Sequence, residues 1–325
     1  MISPKKVLKL NKKIIFFSSI LVAMIIFLLL FSKITDYILN KKYGLGNLVL
    51  YENSIITGYN LSSNQKITNR RNNKIIINDK GMRSSNNWEV SSLRKILFIG
   101  DSVTYGGSVV SNNQTFSEKI CSKLNKNKEE FLCGNYAVNG YSIISMKNKI
   151  EYKDFNDEEF IIIVLTASDL ERNFHNLYSQ PFFSKKIENY FPALTEVIFI
   201  YLEKFMWEKK YKKNSMELKI NTDTYKKFAK KNIVELAKTA TATKKKIMLV
   251  YSPEKTEIYN QNKFFYYKNI LKDNFSNFLD MTDYIINENN LHTIYSDNIH
   301  LNADGHEFYS SVIKDYLINK FTNIK

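Results

Sequence analysis

The first hydrophobic feature of the chain is an uninterrupted apolar segment near its amino terminus. Residues 14–31 contain no charged side chain, and only Ser18 and Ser19 are polar. A helix that spans a bilayer needs roughly 17–25 such residues, whereas a core helix of this length is expected to show a polar face. The pattern therefore predicts a transmembrane segment over residues 14–33, preceded by a basic tail over residues 1–13.

The charges that flank this segment predict its orientation. Five lysines lie in the first thirteen residues, more densely than lysines follow the segment, and an excess of lysine is typical of the cytoplasmic side. No small-residue cleavage site follows the apolar stretch. We therefore expect a single-pass, uncleaved signal anchor in the cytoplasmic membrane, with the amino terminus inside and the remaining chain outside. A cleaved signal peptide is the alternative.

Farther along the chain, short apolar runs alternate with segments of helical periodicity. The runs predict buried strands, and strands that alternate with helices favour a parallel sheet covered by helices on both faces. The expected fold class is therefore α/β, a three-layer α/β/α domain over residues 93–325. The predicted strands are residues 95–99, 131–136, 160–165 and 246–251, and the predicted helices lie near residues 115–125, 144–152, 224–243 and 262–273, with a helical tail through residues 309–317.

Residues 34–92 are polar and contain only short apolar runs. The runs at residues 48–51, 55–56 and 74–79 are separated by turns that contain asparagine and glycine, a pattern typical of short strands. They predict a small β-rich juxtamembrane segment packed on the edge of the α/β domain. A loosely ordered stalk is the alternative.

Residues 174–222 interrupt the alternation of strands and helices. This insertion is rich in aromatic residues and holds two of the four prolines. One interpretation is a lid or acceptor-binding surface that touches the bilayer, and the other is a helix packed on the core. The apolar residues whose helical spacing fits both interpretations are Leu194, Val197, Ile198, Tyr201, Leu202 and Phe205.

Composition argues against several functional classes. The formal net charge is +15, but lysine-rich helix faces are usually just solvated. Arginine is scarce and the sequence contains no nucleic-acid-binding module, so we expect no nucleic-acid partner. Only ten glycines occur, without a phosphate-binding or dinucleotide-binding pattern. No spacing of cysteine and histidine is typical of a metal site, so we expect no cofactor and no metal.

Cys121 and Cys133 are the only two cysteines, and a lysine-rich loop separates them. Outside the cytoplasm, two cysteines this close in sequence are able to form a disulfide. Two free buried thiols are the alternative, because cysteine is also a small core residue.

The end of the first predicted strand carries a candidate nucleophile. The apolar run at residues 96–99 leads into Gly100, Asp101 and Ser102. A serine at the carboxyl end of a strand and the start of a helix is where α/β folds present a nucleophile, and the positive end of the helix stabilises an anion formed there. The same residues also fit a tight turn with ordinary helix caps.

A candidate base and its partner lie far downstream. Asp297 and His300 are three residues apart, so they are able to contact each other and a serine from elsewhere in the fold. Such an arrangement supplies a base and the group that orients it. Of the other three histidines, His306 is expected at the surface of the last helix and His292 in a polar loop.

These residues resemble the sequence blocks of the SGNH/GDSL hydrolase family. Residues 100–103 (GDSV) resemble the first block, and residues 297–300 (DNIH) resemble the last. Residues 135–142 (NYAVNGYS) resemble the second block, and residues 160–169 (FIIIVLTASD) resemble the third. The four blocks occur in the order of the family and extend over roughly residues 94–318.

The resemblance implies a flavodoxin-like fold and a catalytic triad of Ser102, His300 and Asp297. It also implies an oxyanion hole that includes the N–H groups of Ser102 and Gly140, because the glycine of the second block has that role in the family.

The third block departs from the family pattern. Thr166 stands where the family has glycine, and Ser168 stands where it has the oxyanion-hole asparagine. A serine hydroxyl donates a hydrogen bond but reaches less far than a carboxamide, and the loss of one oxyanion donor costs roughly 10²–10³ in rate. Ser168 and the nearby Asn173 are therefore the two candidates for the third oxyanion donor.

By this resemblance we expect a serine esterase that removes acyl groups, acetyl above all, from a cell-envelope or extracellular glycan. One alternative is an O-acyltransferase that moves an acyl group onto a polysaccharide, with a membrane partner as acyl donor. Another is a non-catalytic glycan-binding protein that kept the fold. The expected partners are a glycan or acyl-ester substrate and the membrane that holds the amino-terminal helix.

Overall fold

The structure is a computed structural model that describes residues 4–43, 45–69, 71–89, 93–174, 191–198, 201, 222–259, 265–287 and 293–321. Its first element is helix α1, Pro4–Tyr43. The part over Lys13–Tyr43 is long and apolar enough to cross a membrane, with a mean hydropathy of 3.1 in its most apolar window. The charge-free stretch 14–31 lies inside α1 and is exposed along its whole length, as the sequence predicts for a segment that faces lipid.

Two antiparallel hairpins follow α1. The first pairs β1 (Tyr51–Ser54) with β2 (Gly58–Leu61), and the second pairs β3 (Gln65–Thr68) with β4 (Lys74–Ile77). The prediction of a strand at residues 55–56 is wrong. These residues belong to the turn of the first hairpin, because Ser54 pairs with Gly58 and only three residues remain to reverse the chain.

Buried apolar side chains attach the hairpins to the α/β domain. Tyr59, Leu61, Ile75 and Ile77 are at most 2% exposed. They belong to the same hydrophobic core as one face of the large sheet. The hairpins therefore share their stability with the domain that follows them.

The α/β domain is built on five strands. They are β5 (Arg94–Ile99), β6 (Phe131–Asn135), β7 (Phe160–Leu165), β8 (Lys246–Tyr251) and β9 (Phe278–Asp280). All pair in parallel, in the spatial order β6-β5-β7-β8-β9. This sheet confirms the α/β fold class, and β5 to β8 coincide with predicted strands. The sequence did not predict β9, because three residues give no recognisable periodicity.

Helices connect the strands and cover the sheet. Most of the longer ones coincide with predicted helices, whereas the short helices after β8 and β9 were not predicted. In chain order they are α2 (Ser102–Tyr105), α3 (Phe116–Leu124), α4 (Ile143–Glu151), α5 (Ala167–Glu171), α6 (192–198), α7 (Thr222–Ala242), α8 (Lys255–Tyr259), α9 (Phe265–Asn274), α10 (Met281–Asn287) and α11 (Ala303–Lys320).

The sheet separates two hydrophobic cores, because alternate residues of a strand point to opposite faces. In β5, Leu97 and Ile99 belong to one core, while Ile96 and Phe98 belong to the other. Buried residues of α4, α7 and α9 complete the first core, and buried residues of α3, α10 and α11 complete the second. The domain therefore has three layers.

Two further contacts tie peripheral elements to this frame. A disulfide joins Cys121 of α3 to Cys133 of the edge strand β6. Helix α6 contacts the end of α1, where the N–H of Leu194 donates to Oδ1 of Asp36 at 2.9 Å. Helix α6 of the insertion thus lies against the carboxyl-terminal part of α1.

Candidate active site

The candidate site lies at the carboxyl ends of the parallel strands. β5 leads directly into Ser102, the loop after β6 carries Gly140, and the start of α5 after β7 carries Ser168. The loop before α11 brings His300 to the same edge. Loops at this edge meet in parallel sheets, which is why α/β folds bind ligands there.

The turn after β5 is shaped by a close approach and a helix cap. A Cβ atom on Gly100 would lie 2.1 Å from Oγ1 of Thr104, so only glycine fits. Asp101 caps α2, since its Oδ1 accepts the N–H of Val103 at 2.9 Å. The cap explains the aspartate, and its other oxygen, Oδ2, lies 3.3 Å from the hydroxyl of Ser102, the first residue of α2.

Ser102, His300 and Asp297 form a continuous chain of hydrogen bonds. Nε2 of His300 lies 2.9 Å from Oγ of Ser102, and Nδ1 lies 2.7 Å from Oδ2 of Asp297. A carboxylate accepts and does not donate, so Nδ1 carries the proton and Nε2 is free to accept from the serine hydroxyl. The structure thus brings together all three residues of the expected triad.

The carboxylate of Asp297 is anchored on both oxygens. Its Oδ1 accepts the N–H groups of Ile299 at 2.8 Å and His300 at 2.7 Å, while Oδ2 faces the imidazole. Burial is the largest single influence and raises the pKa of Asp297, but the two N–H groups and the His300 ring together lower it below its ordinary value. The group is therefore held as a charged acceptor.

Two N–H groups near the carboxyl ends of the strands have no acceptor within the part of the chain that the structure describes. They belong to Ser102, at the start of α2, and to Gly140, in the loop after β6. Gly140 has φ of +77°, in the left-handed region that favours glycine. Unpaired backbone N–H groups are the kind of donor that an oxyanion requires.

The hydroxyl of Ser168 already has a partner, since it lies 3.0 Å from Oγ1 of Thr166. Burial raises the pKa of Glu254, and the nearby hydroxyl and N–H of Ser168 partly offset that rise. The expected third oxyanion donor therefore lies beside a carboxyl group that no sequence pattern marks.

Asn173, the other candidate for the third donor, is exposed in the stretch after α5. Its role stays a prediction.

Arg172 connects three of the loops that form the site. Its Nη1 donates to the carbonyl oxygen of Tyr141 at 2.7 Å and to Oδ1 of Asp169 at 3.2 Å, and it lies 3.8 Å from Asp101. Burial and the neighbouring charge of Asp101 raise the pKa of Asp169 well above its ordinary range. The guanidinium offsets part of this negative charge and ties the Gly140 loop to α5.

Sequence comparisons return no relatives: no protein-family profile matches the chain, and no curated protein matches it. Solved structures do resemble its fold. A lipolytic protein of the G-D-S-L family from Veillonella parvula is 13% identical, with a TM-score of 0.40, and the likeness covers 70% of this chain and 98% of that one. A putative lipolytic protein of the G-D-S-L family from Desulfitobacterium hafniense is 12% identical, with a TM-score of 0.42 and coverage of 69% of this chain and 99% of that one.

Two further neighbours are esterases by name. The psychrotrophic esterase EstA from Pseudoalteromonas sp. is 14% identical, with a TM-score of 0.42 and coverage of 71% of this chain and 99% of EstA. A two-domain esterase active on acetylated mannans is also 14% identical, with a TM-score of 0.42, and the likeness covers 70% of this chain and 49% of that protein. The G-D-S-L likeness concerns the fold, so the roles of individual residues rest on the geometry described above.

The expectation for His306 is wrong. This residue is fully buried, its Nδ1 accepts the N–H of Phe116 at 3.2 Å, and its ring packs on that of Phe116. Burial lowers the pKa of His306 to about 3, so the imidazole is neutral. The buried face of α11 continues through Tyr309, Ile313 and Leu317. The helical spacing of His306 with these apolar residues was the signal in the sequence that indicates a buried position.

Several expectations fall on parts of the chain outside the described residues. They include His292, Leu202, Phe205 and most of the insertion over residues 174–222. Within the described residues, no group of three or more histidine, cysteine, aspartate or glutamate side chains is placed to hold a metal ion.

Arg83 supports the site, and sequence analysis gave no indication of it. Its guanidinium is fully buried, with Nη1 donating to the carbonyl oxygens of Tyr105 at 2.7 Å and Gly107 at 2.8 Å. These carbonyls belong to the last residue of α2 and to the loop just after it, where a Cβ atom on Gly107 would lie 3.9 Å from Cδ2 of His300. Arg83 therefore holds the loop that borders the imidazole.

Proposed function

We propose that the protein is a serine esterase in which Ser102 is the nucleophile, His300 the general base and Asp297 its orienting partner. The observation that carries the proposal is the unbroken chain of short contacts from Asp297 through His300 to the Ser102 hydroxyl. An isolated cap or turn does not need an imidazole at 2.9 Å from the serine oxygen, whereas acyl transfer does.

The proposed reaction has two halves. In the first, Oγ of Ser102 attacks the ester carbonyl carbon and its proton passes to Nε2 of His300. The tetrahedral intermediate collapses when the carbon–oxygen bond of the alcohol breaks and the alcohol takes the proton from His300. In the second half, a water molecule gives its proton to His300 and attacks the acyl-enzyme, and the proton returns to Ser102 as the acid leaves.

The negative oxygen of each intermediate is assigned to the N–H groups of Ser102 and Gly140. Both lack another acceptor in the described part of the chain, and the Ser102 group also lies at the positive end of α2. Two backbone donors suffice for a functional oxyanion hole, and a third increases the rate. The engagement of Ser168 with Glu254 therefore favours a slow esterase.

The proposed substrate is an acyl ester, in particular an O-acetylated glycan outside the cell. Polar or charged side chains lie near the triad: Arg172 is 3.8 Å from Asp101, and Asn298, the residue after Asp297, contacts Glu254. Such groups bind sugar hydroxyls more favourably than a long acyl chain, which requires an apolar lining. The substrate class itself comes from the sequence resemblance.

The proposed location follows from α1. This helix is one apolar element with a lysine-rich start, which fits a signal anchor that keeps its amino terminus inside. Residues 34–92 and the catalytic domain over residues 93–325 then lie outside the cytoplasmic membrane. A disulfide between Cys121 and Cys133 suits that oxidising side.

One observation favours a second candidate function, a glycan-binding protein without turnover. Ser168, the third-block residue that would donate to the oxyanion, lies beside the carboxyl group of Glu254, and a negative charge there would weaken stabilisation of the oxyanion. An O-acyltransferase would use the same acyl-enzyme and differ only in its acceptor, a sugar hydroxyl in place of water.

The test is ester cleavage by the full chain in detergent, with p-nitrophenyl acetate and with acetylated mannan. We expect slow release of nitrophenol and acetate by the wild type and none by Ser102→Ala. Ser108→Ala is the matched control, because Ser108 is an exposed serine in the segment after α2, and it should retain full activity. A wild type no faster than Ser102→Ala would favour the binding protein, and an acetylated oligosaccharide product would indicate transfer.

A further inference from the structure

The peptide group between Asn139 and Gly140 is held by the first hairpin. The hydroxyl of Tyr59 in β2 donates to the carbonyl oxygen of Asn139 at 2.6 Å. That carbonyl and the N–H of Gly140 belong to one planar trans peptide group, so they point in opposite directions. A contact that fixes the carbonyl therefore also fixes where the N–H points.

This N–H is the donor assigned to the oxyanion, and it has no acceptor of its own in the described residues. Gly140 lies at φ of +77°, and glycine has access to positive and negative φ alike. The N–H of Tyr141 donates to the carbonyl oxygen of Val138 at 3.2 Å and closes a turn around this peptide group, but such a turn accepts either orientation of its central peptide group. The hydroxyl of Tyr59 holds the carbonyl oxygen and so favours one of the two orientations.

Tyr59 is itself held firmly. Its side chain is 1% exposed, and its ring makes edge contacts with the rings of Tyr51 and Tyr141. The hydroxyl of Tyr141, the residue after Gly140, donates to the carbonyl oxygen of Tyr59 at 2.6 Å. Burial raises the pKa of Tyr59, so its hydroxyl keeps its proton and stays a donor.

We propose that Tyr59 is a positioning residue, which aims the N–H of Gly140 at the oxyanion through the shared Asn139–Gly140 peptide group. The first hairpin, which precedes the α/β domain in sequence, is then part of the catalytic apparatus. The hydrogen bond also polarises the amide and makes its N–H a stronger donor. The catalytic consequence rests on the proposed function, whereas the orientation of the peptide group does not.

The kinetic test is Tyr59→Phe in the full chain, with Tyr51→Phe as the matched control. Tyr51 also contacts Asn139, but its hydroxyl accepts from the side-chain Nδ2 at 2.9 Å and leaves the peptide group alone. We expect kcat for p-nitrophenyl acetate to fall about tenfold in Tyr59→Phe. A misdirected donor stabilises the oxyanion less, but the loss in rate is smaller than when the donor is removed altogether. KM should change less than about twofold, since the donor acts mainly in the transition state.

The melting temperatures of the two variants separate this effect from general damage to the fold. Each loses one hydroxyl from the same hairpin, so the melting temperatures should fall by similar amounts. A kcat of Tyr59→Phe equal to that of the wild type, or an equal fall in Tyr51→Phe, would overturn the proposal.

A second readout does not require activity. The chain has ten glycines, so selective ¹⁵N-glycine labelling of the full chain in detergent gives few signals, and Gly140→Ala identifies the Gly140 signal by its loss. We expect Tyr59→Phe to shift that signal and Tyr51→Phe to leave it nearly unchanged. An unshifted Gly140 signal in Tyr59→Phe contradicts the positioning role. If wild-type turnover does not depend on Ser102, the proposed function fails, and this readout still decides the role of Tyr59.

Discussion

The two sides of the cleft are built in different ways. On the nucleophile side, Asp297 and His300 lie three residues apart and make short contacts with each other and with Ser102. On the oxyanion side, Tyr59 contacts the Gly140 loop from a distant segment, and Ser168 lies beside Glu254. The proposed function therefore combines a complete set of nucleophile residues with weaker stabilisation of the oxyanion charge.

The largest expected effect concerns the nucleophile side. Asp297→Asn keeps an oxygen able to accept the N–H groups of Ile299 and His300, but it removes the charged partner of the imidazole. We expect kcat to fall by a factor on the order of 10²–10⁴, because the imidazole loses its oriented tautomer. The measurement is kcat for p-nitrophenyl acetate, with the melting temperature as the control for folding. A loss of less than about tenfold would show that the two residues do not act as a unit.

A smaller effect, of opposite sign, is expected on the oxyanion side. Glu254→Gln removes a negative charge beside Ser168 while it keeps an oxygen that accepts from that residue. We expect kcat to rise about threefold, because a nearby carboxylate opposes the negative charge of the oxyanion. The gain should be larger at alkaline than at acid pH, since burial raises the pKa of Glu254 and its carboxyl group is neutral in acid. A fall in kcat would instead assign Glu254 a direct part in binding or catalysis.

The smallest effect is expected at Glu257, which contacts Glu254, and it concerns the stability of the fold rather than the rate of the reaction. Glu257 accepts the N–H of Glu254 at 2.9 Å and the hydroxyl of Tyr251 at 2.5 Å, and burial raises its pKa to about 7. The folded protein therefore keeps this proton up to about pH 7, whereas the unfolded chain releases it near its ordinary pKa of 4.5. The contribution of Glu257 to the free energy of unfolding falls as the pH rises from about 4.5 to about 7.

Glu257→Gln carries no titratable proton at this position. Its melting temperature, measured in detergent against pH, should decline less over that window than the wild-type value. Identical slopes for the two proteins would show that Glu257 does not titrate there.

Much of the fold was predictable from sequence, because buried strands carry short apolar runs and their helices carry a 3–4 spacing. β5, β6, β7 and β8 follow that rule. β9 was missed because its three residues are too short for a period. The strand expected at residues 55–56 became a turn, since two isoleucines alone do not distinguish a strand from the end of a hairpin.

The nucleophile side was predictable because its residues lie in short local patterns, Gly100 to Val103 and Asp297 to His300. The supports of the oxyanion side were not. Tyr59, Arg83 and Glu254 contact the loops of the site from segments that are not adjacent to them in sequence, and no local spacing marks them. The candidate catalytic residues were thus predictable where they lie close together in sequence, whereas the residues that support them were not.

The central claim is that Ser102 forms a covalent acyl-enzyme with His300 as its base. The most direct measurement is mass spectrometry of the full chain after brief exposure to p-nitrophenyl acetate and acid quenching, followed by peptide mapping. We predict one acetyl group on the peptide that contains Ser102, absent in Ser102→Ala and formed far more slowly in His300→Ala. Cleavage of the ester without an acetyl group at Ser102, or labelling at the same rate in His300→Ala, would contradict the account.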